Sequence, residues 1–121
     1  MNKKKVLLVD DSAATIHQMR KILEDSGMFE VVGHGKNGAE GVQLYTSLKP
    51  DIVCMDLMMP VMDGLQAIRT ITSIDKSAKI VVVSSAAGVG DKTTEAIRFG
   101  AKNIIAKPLE AENVIEILNK L

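Results

Sequence analysis

Asp10, Asp11 and Asp56 are the residues whose type and spacing point most directly to chemistry. Asp10 and Asp11 follow the apolar run 6–9, and Asp56 follows the apolar run 52–55, so all three stand at the carboxyl ends of predicted strands. In an open α/β sheet ligands bind outside those ends, and two neighbouring strands ending in acids would bring three carboxylates close together. Like charges at that separation oppose one another's ionisation unless a cation joins them. Carboxylate oxygens are hard donors that suit Mg²⁺, or Mn²⁺, better than zinc. A cation there would bring a phosphoryl group to one of the acids, so phosphoryl chemistry is the leading expectation.

The elements that must position these acids can be read from the hydrophobic pattern. Short β-rich runs at 6–9, 30–32, 52–55, 80–83 and 103–106 predict strands, and longer helical stretches lie between them. Ser12 is placed to cap a first helix that carries Ile16, Met19 and Leu23 on one face and closes at Gly27. Asn37 and Glu40 read as a capping box for the second helix, and Leu65, Ile68 and Ile71 face the core from the third. Gly100 is placed to stop the fourth, and Val114, Ile117, Leu118 and Leu121 form the apolar stripe of the fifth. Near-continuous apolar strands separated by helices imply a parallel sheet covered on both faces with right-handed crossovers. The predicted architecture is a three-layer, doubly wound α/β domain of five strands.

Composition narrows the function classes. At 121 residues the chain fits one domain, 1–121, with a real core. Fifteen basic residues balance fifteen acidic ones, which leaves no net charge to recruit nucleic acid or an anionic membrane. The single cysteine, Cys54, lies in an apolar run and reads as a buried small hydrophobe suited to a reducing compartment. The N-terminal lysine run leads into too few apolar residues for a signal peptide or a membrane span, and a cytoplasmic location is expected.

Four separated motifs carry a family resemblance. They are Val9-Asp10-Asp11-Ser12, the stretch from Asp56 through Pro60 to Gly64, Ser84-Ser85-Ala86, and Lys107-Pro108. Each follows a predicted strand, and together they make the whole chain resemble a response-regulator receiver domain of the CheY type. The resemblance implies the flavodoxin-like strand order 2-1-3-4-5, for which CheY is itself a standard example. It implies Asp56 as the phosphoacceptor, Asp11 as a direct metal ligand and Asp10 as one acting through water. Asp56 and the backbone carbonyl of Met58 would complete the metal's protein ligands. Lys107 would offset charge on the phosphoryl oxygens, and a cis bond to Pro108 would fix its direction. Ser84 matches the switch hydroxyl, with Ser85 as the competing candidate. Gly88 and Gly90 would make the loop after Ser84 permissive. The implied role is that of a signalling protein, not an enzyme, which takes its phosphoryl group from a sensor histidine kinase or a small acyl phosphate. Its target would bind the face of the fourth helix, fifth strand and fifth helix, in chemotaxis or a phosphorelay.

Other readings compete at particular residues. Gly33, Gly35 and Gly38 form a G-x-G-x-x-G run before a predicted helix, which superficially suits a dinucleotide-binding enzyme but leaves the three acids and Lys107 without a role. His17 lies in a predicted helix without a supporting motif and reads as a surface or partly buried residue. Met55, Met58, Met59 and Met62 suggest either an adaptable docking surface or simple core and loop filling. Ile104 stands where many chemotaxis receivers carry an aromatic, and the Gly-containing loop after Ser84 is closer to the receiver half of chemotaxis methylesterases. A receiver portion of such a regulator is therefore the alternative to a stand-alone one.

Overall fold

A computed structural model describes residues 3–85 and 90–121. The chain alternates β1 (Lys4–Val9), α1 (Ala13–Asp25), β2 (Phe29–Gly35), α2 (Gly38–Leu48), β3 (Ile52–Met55), α3 (Gly64–Ile74), β4 (Ile80–Ser85), α4 (Gly90–Phe99), β5 (Asn103–Lys107) and α5 (Ala111–Asn119). All five strands are parallel in one sheet of order β2-β1-β3-β4-β5. Strand alternation divides the core between the two faces. Val6, Leu8, Cys54, Val81 and Ile105 pack with Met19 and Leu23 of α1 and Val114 and Leu118 of α5. Leu7, Val53, Met55, Ile80 and Val82 pack instead with Tyr45 of α2, Ile68 and Ile71 of α3 and Ala96 of α4. Full burial of each large aliphatic side chain contributes about 1.5–3 kcal/mol, so this two-sided core fixes the sheet whose carboxyl edge carries the acids.

The helix signals work locally. Ser12 Oγ accepts from Thr15 N at 3.3 Å, and Gly27 adopts φ +73 just past the end of α1. Asn37 Oδ1 accepts from Glu40 N at 2.9 Å, while the Glu40 carboxylate bonds the backbone of Lys36 rather than of Asn37, at 2.8 Å. Gly100, at φ +125, ends α4. Ile68 and Ile71 are buried as expected, with Leu65 partly buried beside them.

Several boundaries move. β2 runs on to Gly35 because Gly33, His34 and Gly35 pair with Leu7, Leu8 and Val9. That pairing puts the first two glycines of the G-x-G-x-x-G run inside the sheet rather than in a phosphate-binding turn, and it removes the dinucleotide fingerprint as a loop. Gly38 begins α2, where its N–H bonds Met62 O at 2.8 Å and a Cβ would lie 2.5 Å from the same oxygen. β4 and β5 each extend past their apolar runs, since Ser84 pairs with Ala106 and Ser85 with Lys107. α5 stops at Asn119, so Leu121 of the expected stripe packs from beyond the helix end. Gly88 lies outside the described residues.

Candidate functional site

The sheet register assembles the acids. Val9 pairs with Met55, and Asp56 N donates to Val9 O at 2.9 Å, so Asp10 and Asp56 leave neighbouring strands at the same level. One oxygen from each of Asp10, Asp11 and Asp56 lies within 4.8 Å of the others. Asp10 and Asp56 are buried, at 4% and 7% exposure, while Asp11 faces solvent. This set of hard oxygens, open on one side, fits a divalent cation that keeps part of its water shell.

Each acid has its own surroundings. Asp10 accepts from Ser12 N at 2.9 Å and from the Lys107 ammonium at 3.1 Å. Lys107 thus reaches from the end of β5 past β4 and β3 to the end of β1. The Lys107–Pro108 peptide bond is cis. Asp56 is pushed up from 3.8 to about 6, first by burial and then by the Asp10 charge. The Lys107 charge and the backbone N–H groups of Met58 and Leu57 pull it the other way. A carboxylate so placed is mainly ionised at neutral pH yet more basic than an exposed one, which suits a nucleophile.

Ser84 and Ser85 separate clearly. Met55 pairs with Val82, which sets Ser84 one step beyond the level of Asp56 on the adjoining strand. Ser84 is 3% exposed, whereas Ser85 is exposed and pairs with Lys107. The loop after Asp56 is held closely from below. Gly64 N donates to Leu57 O at 3.0 Å, and a Cβ on Gly64 would lie 2.1 Å from Asp56 O. Asp63 caps α3 by accepting from Gln66 N at 2.9 Å. Val61, at the outer tip, adopts φ +68 and is 85% exposed.

The four methionines differ in burial. Met55 is core, Met59 and Met62 are partly buried, and Met58 is 56% exposed with its Sδ 3.1 Å from Lys92 Nζ. Cys54 is buried, and burial pushes its thiol up to about 12, so it is an inert core residue at neutral pH. His17 is exposed on α1 and lines a hollow of about 280 Å³ with Asp10, Asp11, Arg20, His34 and Lys36. Ile104 is partly buried on β5 against the α2–α3–α4 side of the core. A hollow of about 920 Å³ between α1 and α5 contains none of the three acids.

Sequence reasoning brings Asp10, Asp11, Asp56 and Lys107 to one place, as found. It does not reach the Ser12 N–H that orients Asp10, the N–H groups of Leu57 and Met58 on Asp56, or Lys92. The first two are backbone groups, which residue type does not mark. Lys92 is one lysine among many, with no local motif. The doubled glycine contacts at 38 and 64 had a signal, since Asn37-Gly38 and Asp63-Gly64 both read as cap followed by glycine.

Comparison with known proteins gives a consistent result. The family model described as response regulator receiver domain matches residues 6–119. The chemotaxis protein CheY of Thermotoga maritima is 47% identical over 118 residues, covering 98% of this chain and 97% of that protein. A protein-glutamate methylesterase/protein-glutamine glutaminase of Carboxydothermus hydrogenoformans is 43% identical, over 89% of this chain and 30% of that protein. The structure is similar to that of CheY from Borrelia burgdorferi, solved as a complex with CheX, BeF₃ and Mg²⁺. The TM-score is 0.89 at 33% identity, over 97% of this chain and 87% of that one. Among the described residues no helix is long and apolar enough to cross a membrane.

Proposed function

The chain belongs to the response regulator receiver domain family, whose members are signalling proteins, and from that premise we propose that it relays a chemotaxis signal by accepting a phosphoryl group on Asp56. The observation that carries the reading is the meeting of three carboxylates and Lys107 at one sheet edge, with Asp56 buried and raised to about 6. An Asp56 oxygen attacks phosphorus. The bond from phosphorus to the donor, an acyl oxygen or an imidazole nitrogen, breaks with its electron pair leaving on the donor. The product is an acyl phosphate on Asp56.

The chain's own groups each contribute to that step. The N–H groups of Leu57 and Met58 aim the Asp56 carboxylate, and burial keeps it basic. Asp10, Asp11, Asp56 and the Met58 carbonyl would hold Mg²⁺, or Mn²⁺, which would supply positive charge against the phosphoryl oxygens. Lys107 holds Asp10 and stands beside the acceptor, where its charge offsets that of the transferred group. Ser84 donates its hydroxyl to the phosphoryl group.

The signal passes from a sensor histidine kinase, through Asp56, to a target protein on the face of α4, β5 and α5. We place this exchange in the cytoplasm; fifteen basic residues balance fifteen acidic ones, so no net charge draws the chain to nucleic acid or an anionic membrane. The chain is 47% identical to CheY over 97% of that protein and 43% identical to the methylesterase over 30% of that protein. The test is a beryllofluoride titration followed by amide NMR, with and without Mg²⁺. Response only with both present supports the reading, and a response that persists in Asp56→Asn contradicts it.

A further inference from the structure

The mouth of the acceptor site carries a contact that the phosphoacceptor chemistry does not use. Lys92 Nζ, in the first turn of α4, lies 3.1 Å from Sδ of Met58, two residues beyond Asp56. The pair spans the opening between the β3–α3 loop and α4. A thioether is a weak acceptor, so the ammonium has a poor partner for its charge. Its position is also contrary to helix electrostatics, because a cation near a helix N-terminus faces the positive end of the dipole. α4 starts at the same sheet edge as the three acids, since it follows the carboxyl end of β4.

A charge count shows what that cation is suited to. An acyl phosphate on Asp56 adds close to two negative charges to those of Asp10 and Asp11. A divalent cation and Lys107 together leave about one negative charge uncompensated. We propose that Lys92 is a second cationic group of the phosphoryl site, parked on Met58 in the unmodified protein and drawn onto the phosphoryl oxygens once Asp56 carries them. The inference rests on the acceptor role of Asp56. Lys92 exchanges a neutral sulfur for an anionic oxygen, and the exchange pulls the first turn of α4 toward the β3–α3 loop. Phosphorylation then reaches α4 by two routes, through Ser84 and through Lys92, and the second does not need an aromatic at position 104.

The test uses protein labelled with ¹³C at the methionine methyl groups and titrated with beryllofluoride in the presence of Mg²⁺. Met58→Leu assigns the Met58 signal by its loss. In the wild type the Met58 methyl resonance should move on binding. Lys92→Gln should abolish most of that movement and weaken beryllofluoride binding about fivefold, a loss in keeping with a partly exposed charge-assisted contact. Lys92→Arg should restore binding to within about twofold of the wild type, which a purely structural lysine would not require, and added salt should narrow the difference between Lys92→Gln and wild type. Equal affinity and an unchanged Met58 shift in Lys92→Gln would overturn the role of Lys92 while leaving Asp56 as the acceptor. A wild-type protein that binds no beryllofluoride overturns the acceptor reading and this one together.

Discussion

Replacing Asp56 with Asn should make the metal-free protein more stable at neutral pH. The Asp56 carboxyl is raised from 3.8 to about 6, so between those values the native state binds more protons than the unfolded chain. Stability contributed by the protonated acid is complete below the unfolded value, is lost as pH rises through the window, and is absent above about pH 6. At about 1.36 kcal/mol per unit the shift sets an upper bound of about 3 kcal/mol. The N–H groups of Leu57 and Met58 that now meet a carboxylate would meet a neutral amide, which lowers the expected gain to about 1–2 kcal/mol. Urea unfolding in EDTA, repeated from about pH 4 to about pH 8, reads this directly. The advantage of Asp56→Asn should be near zero at the acid end and grow toward the alkaline end. Mg²⁺ should then stabilise the wild type preferentially, by about 1.4 kcal/mol at tenfold its dissociation constant. An Asn variant that is less stable throughout, or equally displaced at every pH, would refute the claim that burial and the Asp10 charge oppose ionisation of Asp56.

Three further outcomes follow from the same geometry. Gly64→Ala should cost about 1–3 kcal/mol in thermal or urea unfolding, because its Cβ would sit 2.1 Å from Asp56 O and 2.7 Å from Leu57 Cα, atoms of backbone that cannot swing aside. Met58→Asn should alter the hydrolysis rate of the acyl phosphate more than Mg²⁺ affinity, since its exposed side chain can orient water while the proposed metal contact uses the carbonyl; phosphate release and Mg²⁺ titration separate the two. Ser84→Ala should still be phosphorylated but lose most amide shift changes in α4 on adding beryllofluoride, whereas Ser85→Ala, altering an exposed side chain, should lose far fewer.

Much of this arrangement is legible in the sequence because its signals are local. Ser12, Asn37 and Gly100 mark helix ends through bonds made within a turn, and the apolar runs ending in Asp10 and Asp56 mark strands and acids at once. The remainder depends on partners distant in the chain. Gly33, His34 and Gly35 have no intrinsic strand preference, and pairing with Leu7, Leu8 and Val9 makes them strand. Ser84, Ser85 and Lys107 join the sheet for the same reason. Lys107 could be assigned to the site by resemblance, but only the fold shows that it meets Asp10 at 3.1 Å. Likewise nothing near Tyr45 announces that its hydroxyl donates to Asp75 at 2.7 Å, linking α2 to the end of α3; burial first, and then the bond to Asp75 and its charge, push the phenol up to about 12.

The central claim is that one side chain, Asp56, carries the phosphoryl group. The most direct measurement is incubation with acetyl phosphate and Mg²⁺, followed by borohydride reduction and peptide mapping by mass spectrometry. Borohydride cleaves an acyl phosphate and reduces the aspartyl carbon to an alcohol, leaving homoserine where the phosphoryl group had been. The account predicts homoserine at position 56 alone, with none formed when EDTA replaces Mg²⁺. Homoserine at position 10 or 11, or a borohydride-resistant phosphate on Ser84, would contradict it.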